Sequence, residues 1–364
     1  MALKNIIIIY ISGLISIGFL LIVNTNLDAQ IFVLVSMLSA IITSLSILTI
    51  PKSRKIQKSS FTYVSYQVNT ILLISIFIPV LSVYFLISDF SVEWTSIMIE
   101  LERNPLLRFT ILISYFIVLA SPKNTLILRI ISILYCLTVI LFLRNKLFMV
   151  PFIFVFIADI RNSISFGRIA LILIGGYTGY VGVAIFRWYG SLKELSLSKF
   201  ATTYENVTNA GIESELVGQF NAVFNYYLSH PKILGDSYVR LLTYVPGKIF
   251  GWNIPDNPMY LYYTIWNNNV IVKGGSAHPT IFGDSFANFG WFGFVVPSMM
   301  IYMIFVMYQL FERHRTFGIV ALTMFTALNL RGSVYFSLFY LTLIYFIYLL
   351  ITHIYGFFGY RSAS

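Results

Sequence analysis

Long apolar stretches recur along this 364-residue chain, and they constrain its fold more than any other feature. Most are about 18 to 25 residues long, the length that an α-helix needs to cross the hydrocarbon core of a bilayer. Hydrophobic residues make up 58% of the chain and charged residues only 10%, whereas soluble domains carry roughly a quarter. The pattern predicts an all-α polytopic membrane protein with about ten transmembrane helices.

The predicted spans flank one large hydrophilic loop. Residues 1–189 are predicted to hold transmembrane helices 1–7, residues 190–285 the loop, and residues 286–364 transmembrane helices 8–10. The individual spans are predicted near 6–23, 31–50, 66–88, 108–120, 125–143, 147–160, 169–189, 286–311, 316–330 and 333–353. Because the 190–285 loop has no apolar run of bilayer length, we expect the function to lie there.

The distribution of basic residues predicts the orientation. The 51–60 loop and the 312–315 turn are rich in Lys and Arg, so the positive-inside rule places both in the cytoplasm. Counting spans from these turns places the 190–285 loop on the extracytoplasmic side. The net charge of +10 does not indicate nucleic-acid binding, because the basic residues sit mostly in short loops between apolar spans.

One segment of the loop has the spacing of an amphipathic helix. Over 212–229, one side of the helix would carry Leu216, Phe220, Val223, Phe224 and Tyr227. Pro231 follows and is expected to end the helix. Such a helix either lies on the bundle or grips a substrate, and the spacing does not decide between these roles.

Several common kinds of chemistry have no motif in this sequence. There is no Walker A motif and no dinucleotide-binding fingerprint. The four His residues are scattered without metal-ligand spacing, and the single Cys136 lies within a predicted span, where a small buried role is expected. We therefore expect no metal and no nucleotide cofactor.

The Gly-rich stretch 274–293 holds the best candidates for proton transfer. It carries His278 and Asp284 just before a predicted span, and glycines let the backbone approach a ligand closely. His has a pKa suited to acid–base work near neutrality, and Asp284 either orients the imidazole or is itself the base. The structural alternatives are that His278 is a turn residue and that Asp284 caps the following helix.

Cations near this stretch predict a phosphate ester as ligand. Arg240 and Lys248 lie upstream of it, and Arg331 is expected at the outer edge of the bilayer, where a charge needs a reason. Secondary candidates are Lys273, in the loop, and the pair Arg161 and Arg168, which are predicted to share a helix face at an inner span end. The alternatives are snorkelling to headgroups for Arg331, headgroup anchoring for the Arg161 and Arg168 pair, and solvated loop charges for the lysines.

Three short patterns in 234–293 resemble the bacterial O-antigen polymerase (Wzy) family of oligosaccharide repeat-unit polymerases. The first is Gly235-Asp236-Ser237-Tyr238, which leads to a turn with Pro246, Gly247 and Lys248. The second is a Gly-Gly-Ser run, and the third comprises Gly283, Asp284, Asn288, Phe289, Gly290 and Gly293. The family often has Glu where Asp284 stands. The arginines near 161–168 and the Arg331-Gly332 pair also look like the family, as does the layout of many spans around one outer loop.

The resemblance implies a metal-independent glycosyltransferase that uses a lipid-diphosphate-linked donor. Such enzymes polymerise undecaprenyl-diphosphate-linked oligosaccharides on the outer face of the bacterial cytoplasmic (inner) membrane, for O-antigen or capsular polysaccharide. A chain-length-regulating co-polymerase is the implied protein partner. The resemblance also makes Tyr238 a secondary site candidate, and it suggests neither a cofactor nor a nucleotide sugar.

Two other activities of the same pathway remain open. A lipid-linked oligosaccharide flippase would need a charged cavity along several spans, and these spans are nearly free of charge. An O-antigen ligase shares the donor chemistry and differs in its acceptor, so the sequence does not exclude it. A membrane scaffold without activity would leave Arg331 and the Gly-rich stretch unexplained.

Overall fold

The computed structural model describes ten segments of the chain, and none of their residues lies in a β-strand. The segments are residues 2–49, 105–120, 126–143, 148–157, 212–236, 238–240, 257–267, 277–311, 315–332 and 334–359, with the isolated positions 174, 198, 201–202, 243, 250–251 and 253. The predicted span 66–88 lies outside the described residues, and so does the predicted span 169–189 apart from position 174. The described part of the chain is all-α, as the sequence predicts.

The helices are numbered in chain order. They are α1 (Ala2–Val23), α2 (Leu27–Thr49), α3 (Pro105–Ala120), α4 (Leu126–Leu143), α5 (Met149–Phe152, continued by a π-helical turn Ile153–Ile157), α6 (Ile212–Ser229), α7 (Pro258–Trp266), α8 (Thr280–Phe289, followed by a 3-10 turn Gly290–Val295), α9 (Val296–Leu310), α10 (Arg315–Leu330) and α11 (Val334–Gly359).

Three stretches of described helix are long and apolar enough to cross a membrane, namely Leu3–Val23, Leu27–Thr49 and Thr280–Leu310. Shorter apolar helices lie in α3, α4, α10 and α11. The first two stretches expose large apolar side chains such as Phe19 and Ile42, which suits contact with lipid. These helices identify a membrane-associated all-α protein.

The chain divides into two compact units. The first comprises Met1–Arg54, Ala210–Leu310 and Leu322–Leu343, and the second comprises Lys55–Asn209, Phe311–Ala321 and Ile344–Ser364. In the second unit α3 packs on α4, where Cys136 is fully buried, as the sequence predicts. The Arg129 guanidinium of α4 donates to the Phe156 carbonyl at 3.1 Å.

In the first unit α1 and α2 form a hairpin. Asn26 begins α2 by accepting a hydrogen bond from the Ala29 amide at 3.0 Å, a usual way to satisfy the first turn of a helix. α9 packs beside α2, and the hydroxyls of Ser39 and Ser298 meet at 2.7 Å. The hairpin turn meets α6, since the Asn26 amide donates to Asn225 at 3.1 Å.

The helix predicted over 212–229 is confirmed as α6. Its Phe220, Val223, Phe224 and Tyr227 side chains are buried, and the helix packs on α7 and α8. The Phe224 ring stacks on Phe286 of α8 at 4.0 Å between centroids. The helix ends before Pro231, whose ring cannot donate to the preceding turn.

The third membrane-length stretch is not one straight helix, because the chain turns back at Gly290. Gly290 has φ 58° and ψ −136°, a conformation that only glycine adopts without strain. Gly293 lies so close to the Ser285 carbonyl that a side chain there would collide with backbone. Eight residues of continuous helix would separate these positions by about 12 Å.

The turn at Gly290 leaves α8 as a separate helix. The 3-10 turn and α9 together are about 34 Å long, enough to cross a hydrocarbon core of about 30 Å without α8. The span predicted over 286–311 thus corresponds to the end of α8, the 3-10 turn and α9. α8 is therefore not needed to complete a membrane-spanning length.

Candidate functional site

Polar side chains recur every fourth residue along α8, at Thr280, Asp284 and Asn288, and we call this set the polar stripe. Four-residue spacing places side chains on the same face of a helix. All three residues have 0% exposure, and every residue from 280 to 288 is buried. A fully buried helix with a polar face must meet polar partners on the elements packed against it.

Asp284 is the centre of the polar stripe. The Tyr262 hydroxyl of α7 donates to Asp284 Oδ1 at 2.7 Å. The Asn288 amide donates to the Asp284 carbonyl at 2.8 Å and approaches the Tyr262 hydroxyl at 3.4 Å. Asp284 Oδ2 is buried and has no hydrogen-bond partner among the described residues. Tyr262 therefore orients one carboxylate oxygen, and the other, although buried, accepts no hydrogen bond from the described residues.

The expectation that Asp284 caps the following helix is wrong. α8 begins at Thr280, so Asp284 lies inside this helix and one turn beyond its first residue. The 3-10 turn that follows begins after Phe289, which makes no side-chain cap bond. The carboxylate instead bonds to a tyrosine of another helix.

Tyr238 is brought to the polar stripe by the segment that follows α6. The amides of Ile233 and Leu234 donate to the carbonyls of Ala287 and Asn288 at 2.9 and 3.0 Å, which fixes this segment along the end of α8. The Tyr238 ring packs on Phe289 with centroids 5.3 Å apart. Its hydroxyl is buried and does not complete a hydrogen bond in the part of the chain described.

The pKa values of the Tyr238 and Tyr262 phenols are both raised, by burial and in part by Asp284. Burial first, and then the neighbouring Asp284 carboxylate, hold the pKa of each phenol well above its ordinary value. Tyr10 adds a smaller contribution at Tyr238. Tyr238 therefore lies near both Asp284 and Tyr10, although its hydroxyl does not complete a hydrogen bond with the Asp284 carboxylate. Both phenols stay protonated at neutral pH, so each hydroxyl keeps a proton that it can donate.

The turn between α10 and α11 closes the other end of the polar stripe. The Thr280 amide donates to the Arg331 carbonyl at 3.1 Å, and the Tyr10 hydroxyl of α1 donates to Asn329 Oδ1 at 2.7 Å. Gly332, at φ 91°, packs so tightly on Thr280 that a side chain there would collide with backbone. Thr280 itself has φ 65°, a strained value for a β-branched residue, and such strain clusters at functional sites.

Four buried side-chain atoms at this site lack hydrogen-bond partners among the described residues. They are Thr280 Oγ1, Asp284 Oδ2, Tyr238 Oη and Asn329 Nδ2. Native proteins leave few buried polar groups unsatisfied, because each costs about 1–3 kcal/mol. Several such atoms on segments that contact one another indicate a place where a polar ligand or ordered water binds.

The predicted cations divide into described and undescribed positions. The Arg240 guanidinium stacks on the Tyr335 ring at 5.5 Å, and Arg331 lies in the turn that contacts Thr280. Both arginines are half-buried. Lys248, Lys273, Arg161 and Arg168 lie outside the described residues.

The residues just before the Arg331 turn contact α1. Asn329 accepts from Tyr10, and the Leu330 side chain lies against Gly13, about 20 Å along α1 from its end at Val23. The Arg331 carbonyl accepts from the Thr280 amide, so the turn also lies against the start of α8. The position of Arg331 at the outer edge of the bilayer stays a prediction.

His278 is held by its backbone at the start of α8. Its amide donates to Gln219 Oε1 of α6 at 2.7 Å, and the side chain is half-buried. Ala277 is fixed in the same way, since its amide donates to the Met259 carbonyl at 3.1 Å. His278 precedes Pro279 and α8, a position that suits a turn residue as well as a proton carrier.

Five members of the site are not predicted by the sequence, namely Tyr10, Tyr262, Thr280, Asn288 as a polar contact and Asn329. The spacing of Thr280, Asp284 and Asn288 would have revealed the polar stripe if a helix had been predicted from residue 280. Nothing in the sequence links Tyr10 to Asn329, which is 319 positions away. The described residues contain no group of three or more His, Cys, Asp or Glu that could hold a metal ion.

The fold and the site define a membrane-associated all-α protein with a buried polar site around one carboxylate. Comparison of the chain with family sequence models, curated proteins and solved structures finds no match.

Proposed function

We propose that this protein polymerises lipid-linked oligosaccharide repeat units as a metal-independent glycosyltransferase, for O-antigen or capsular polysaccharide. Its substrates are undecaprenyl-diphosphate-linked oligosaccharides, and its place is the bacterial cytoplasmic (inner) membrane. It crosses that membrane about ten times, with the 190–285 loop on the extracytoplasmic side. The supporting observation is the buried Asp284 carboxylate, with Oδ1 held by Tyr262 and Oδ2 open.

The proposed reaction needs a base and a stabilised leaving group. The bond between the anomeric carbon of the growing chain and its diphosphate breaks, and the diphosphate leaves with the electron pair. The acceptor hydroxyl oxygen forms the new bond to that carbon, and its proton passes to Asp284 Oδ2. A positioned base typically contributes roughly a hundred- to ten-thousand-fold in rate. His278 is the second candidate for this proton.

The half-buried arginines suit the diphosphate. The Arg240 guanidinium lies over the Tyr335 ring at 5.5 Å, and a guanidinium binds phosphate oxygens in pairs. Arg331 belongs to the turn that contacts the first residue of α8. Positive charge at these positions stabilises the charge that develops on the leaving diphosphate.

The two rival activities receive unequal support. Among the residues whose burial is described, Asp284 is the one buried charged side chain, which fits a base better than the charged cavity of a flippase. An O-antigen ligase would use the same base and the same donor. The difference between polymerase and ligase lies in the product, which a deletion strain reveals.

A deletion strain tests the proposal. We expect loss of the polymer, with single repeat units still capping the surface lipid. Complementation with Arg240→Ala should fail, whereas Arg240→Lys should restore part of the polymer, because lysine keeps the charge but not the paired geometry. Loss of all surface sugar in the deletion strain would instead indicate the ligase or the flippase, and a normal polymer would refute all three.

The orientation is tested separately. Leu228 is exposed on α6, so Leu228→Cys in a Cys136→Ala background supplies one accessible thiol in the loop. An impermeant thiol reagent should label it in spheroplasts. Labelling only after lysis would place the loop in the cytoplasm. A chain-length-regulating co-polymerase is the expected partner on the extracytoplasmic side.

A further inference from the structure

The buried polar site has a different chemistry from the cations assigned to diphosphate. Its four unsatisfied atoms belong to two hydroxyls, one amide and one carboxylate. Thr280, Asp284 and Asn329 are each 0% exposed, so their polar atoms are beyond the reach of bulk solvent. A diphosphate placed against Asp284 Oδ2 would meet a like charge, whereas a neutral ligand would not.

The donors and acceptors of the site match a polyol. Asp284 Oδ2 accepts, Asn329 Nδ2 donates, and the hydroxyls of Thr280 and Tyr238 do either. Each hydroxyl of a sugar ring also donates once and accepts twice, so one ring can satisfy a mixed set of this kind. The rings of Tyr238 and Tyr262 supply apolar surface beside the polar atoms, which suits the carbon faces of a sugar.

We propose that the polar stripe, together with Tyr238 and Asn329, is a saccharide subsite that binds a neutral sugar of the lipid-linked oligosaccharide, while the diphosphate binds at Arg240. This inference rests on the proposed function for the identity of the lipid carrier. It divides the candidate site into a buried part that recognises sugar and a half-buried part that recognises phosphate.

Tyr10 is a positioning residue for the saccharide subsite. Its hydroxyl donates to Asn329 Oδ1, which turns the amide so that Nδ2 is the group left to bind a ligand. Tyr10 lies on α1, far from the 190–285 loop in sequence. The saccharide subsite therefore depends on a residue from the first predicted span.

A binding experiment separates the two parts. The full-length protein in nanodiscs is titrated with two probes, undecaprenyl diphosphate and the lipid-linked oligosaccharide extracted from the source bacterium. We expect the sugar-bearing lipid to bind wild type at least tenfold more tightly. Thr280→Val should remove this sugar-dependent gain without weakening undecaprenyl diphosphate, and Thr280→Ser should keep it. Val and Thr are both β-branched, so the strain at φ 65° is similar in both.

Two further variants sharpen the result. Tyr10→Phe should reduce the sugar-dependent gain a few-fold through loss of the Asn329 orientation, with undecaprenyl diphosphate binding unchanged. Arg240→Ala should weaken both probes by the same factor. Each variant is checked for a monodisperse elution profile before titration, and Thr280→Ser is the folded control for this position.

The outcomes separate this inference from the proposed function. An unchanged sugar-dependent gain in Thr280→Val, or equal binding of both probes by wild type, would show that the unsatisfied atoms hold structural water only and would overturn the subsite. A normal polymer in the deletion strain would overturn the polymerase. That result would leave the subsite standing if the sugar-dependent gain were present and lost in Thr280→Val.

Discussion

α8 and α9 are neighbours in sequence and belong to one apolar stretch, Thr280–Leu310, yet they are built for different environments. Every residue of α8 from 280 to 288 is buried, and three of them form the polar stripe. In α9, buried residues such as Ile301 and Ile304 alternate with exposed ones such as Met299 and Tyr302. α9 shows one face to its neighbours and one to the surroundings, as a membrane-spanning helix does.

The difference between the two helices shows what hydropathy alone leaves out. Hydropathy averaged along the chain joins the two helices into one stretch of 31 residues, because α8 is also rich in apolar side chains. The backbone of Gly290 separates them, and the tight contact of Gly293 with Ser285 requires the reversal. α8 can then keep a carboxylate inside the protein, while the 3-10 turn and α9 together remain long and apolar enough to cross a membrane.

The largest effect is expected from removing the polar function of α8. In the complemented deletion strain, Asp284→Asn should lower polymer yield by about a hundredfold or more, the usual contribution of a positioned base. Ser298→Ala in α9 removes a buried hydroxyl that only joins two helices, and it should leave the polymer pattern unchanged. Gel profiles of surface polysaccharide measure both. An equal loss of polymer in the two variants would contradict the claim that α8 and α9 differ in function.

A smaller effect is expected from opposing the reversal between the two helices. Gly290→Ala forces a side chain into φ 58° and should destabilise the protein by about 1–3 kcal/mol, seen as a lower thermal midpoint in detergent. Gly218→Ala is the matched control, because Gly218 lies inside α6 with its closest neighbour 3.4 Å from the added carbon. It should melt at the wild-type temperature or above it. A Gly290→Ala protein as stable as wild type would argue against the turn.

The smallest effect is expected at the start of α8. If Asp284 is the base, His278→Gln should reduce polymer yield by less than about tenfold, because proton transfer does not need the imidazole and the hydrogen bond from the residue 278 amide to Gln219 is kept. Chain-length profiles beside those of Asp284→Asn give the comparison. A loss in His278→Gln as large as that in Asp284→Asn would return the imidazole to the role of base, with the carboxylate orienting it.

The sequence predicts elements well where one helix face decides the structure. α6 matches its predicted bounds because its apolar spacing and Pro231 are local signals. The sequence predicts the residues of α8 partly in the 190–285 loop and partly in the 286–311 span, because a helix buried on all sides shows no simple apolar face. Its neighbours come from four distant parts of the chain, and sequence spacing does not reveal that Tyr262 and Asn329 meet it.

The candidate site could be predicted in part. The sequence predicts Asp284 as a catalytic residue, and the resemblance makes Tyr238 a secondary candidate. The structure brings these two side chains together, with Arg240 two positions beyond Tyr238. The sequence did not indicate that the carboxylate would be fully buried and oriented by a tyrosine. That orientation depends on packing between α7 and α8, which is a property of the folded protein.

The most direct test of the account is polymerisation by the purified protein. Proteoliposomes with lipid-linked repeat units and a metal chelator should produce a ladder of longer chains and release undecaprenyl diphosphate. Asp284→Asn should produce no ladder while still binding undecaprenyl diphosphate, and Asp236→Asn, which changes an exposed carboxylate, should match wild type. A ladder from Asp284→Asn equal to that of wild type would contradict the claim that the buried carboxylate of α8 is the catalytic base.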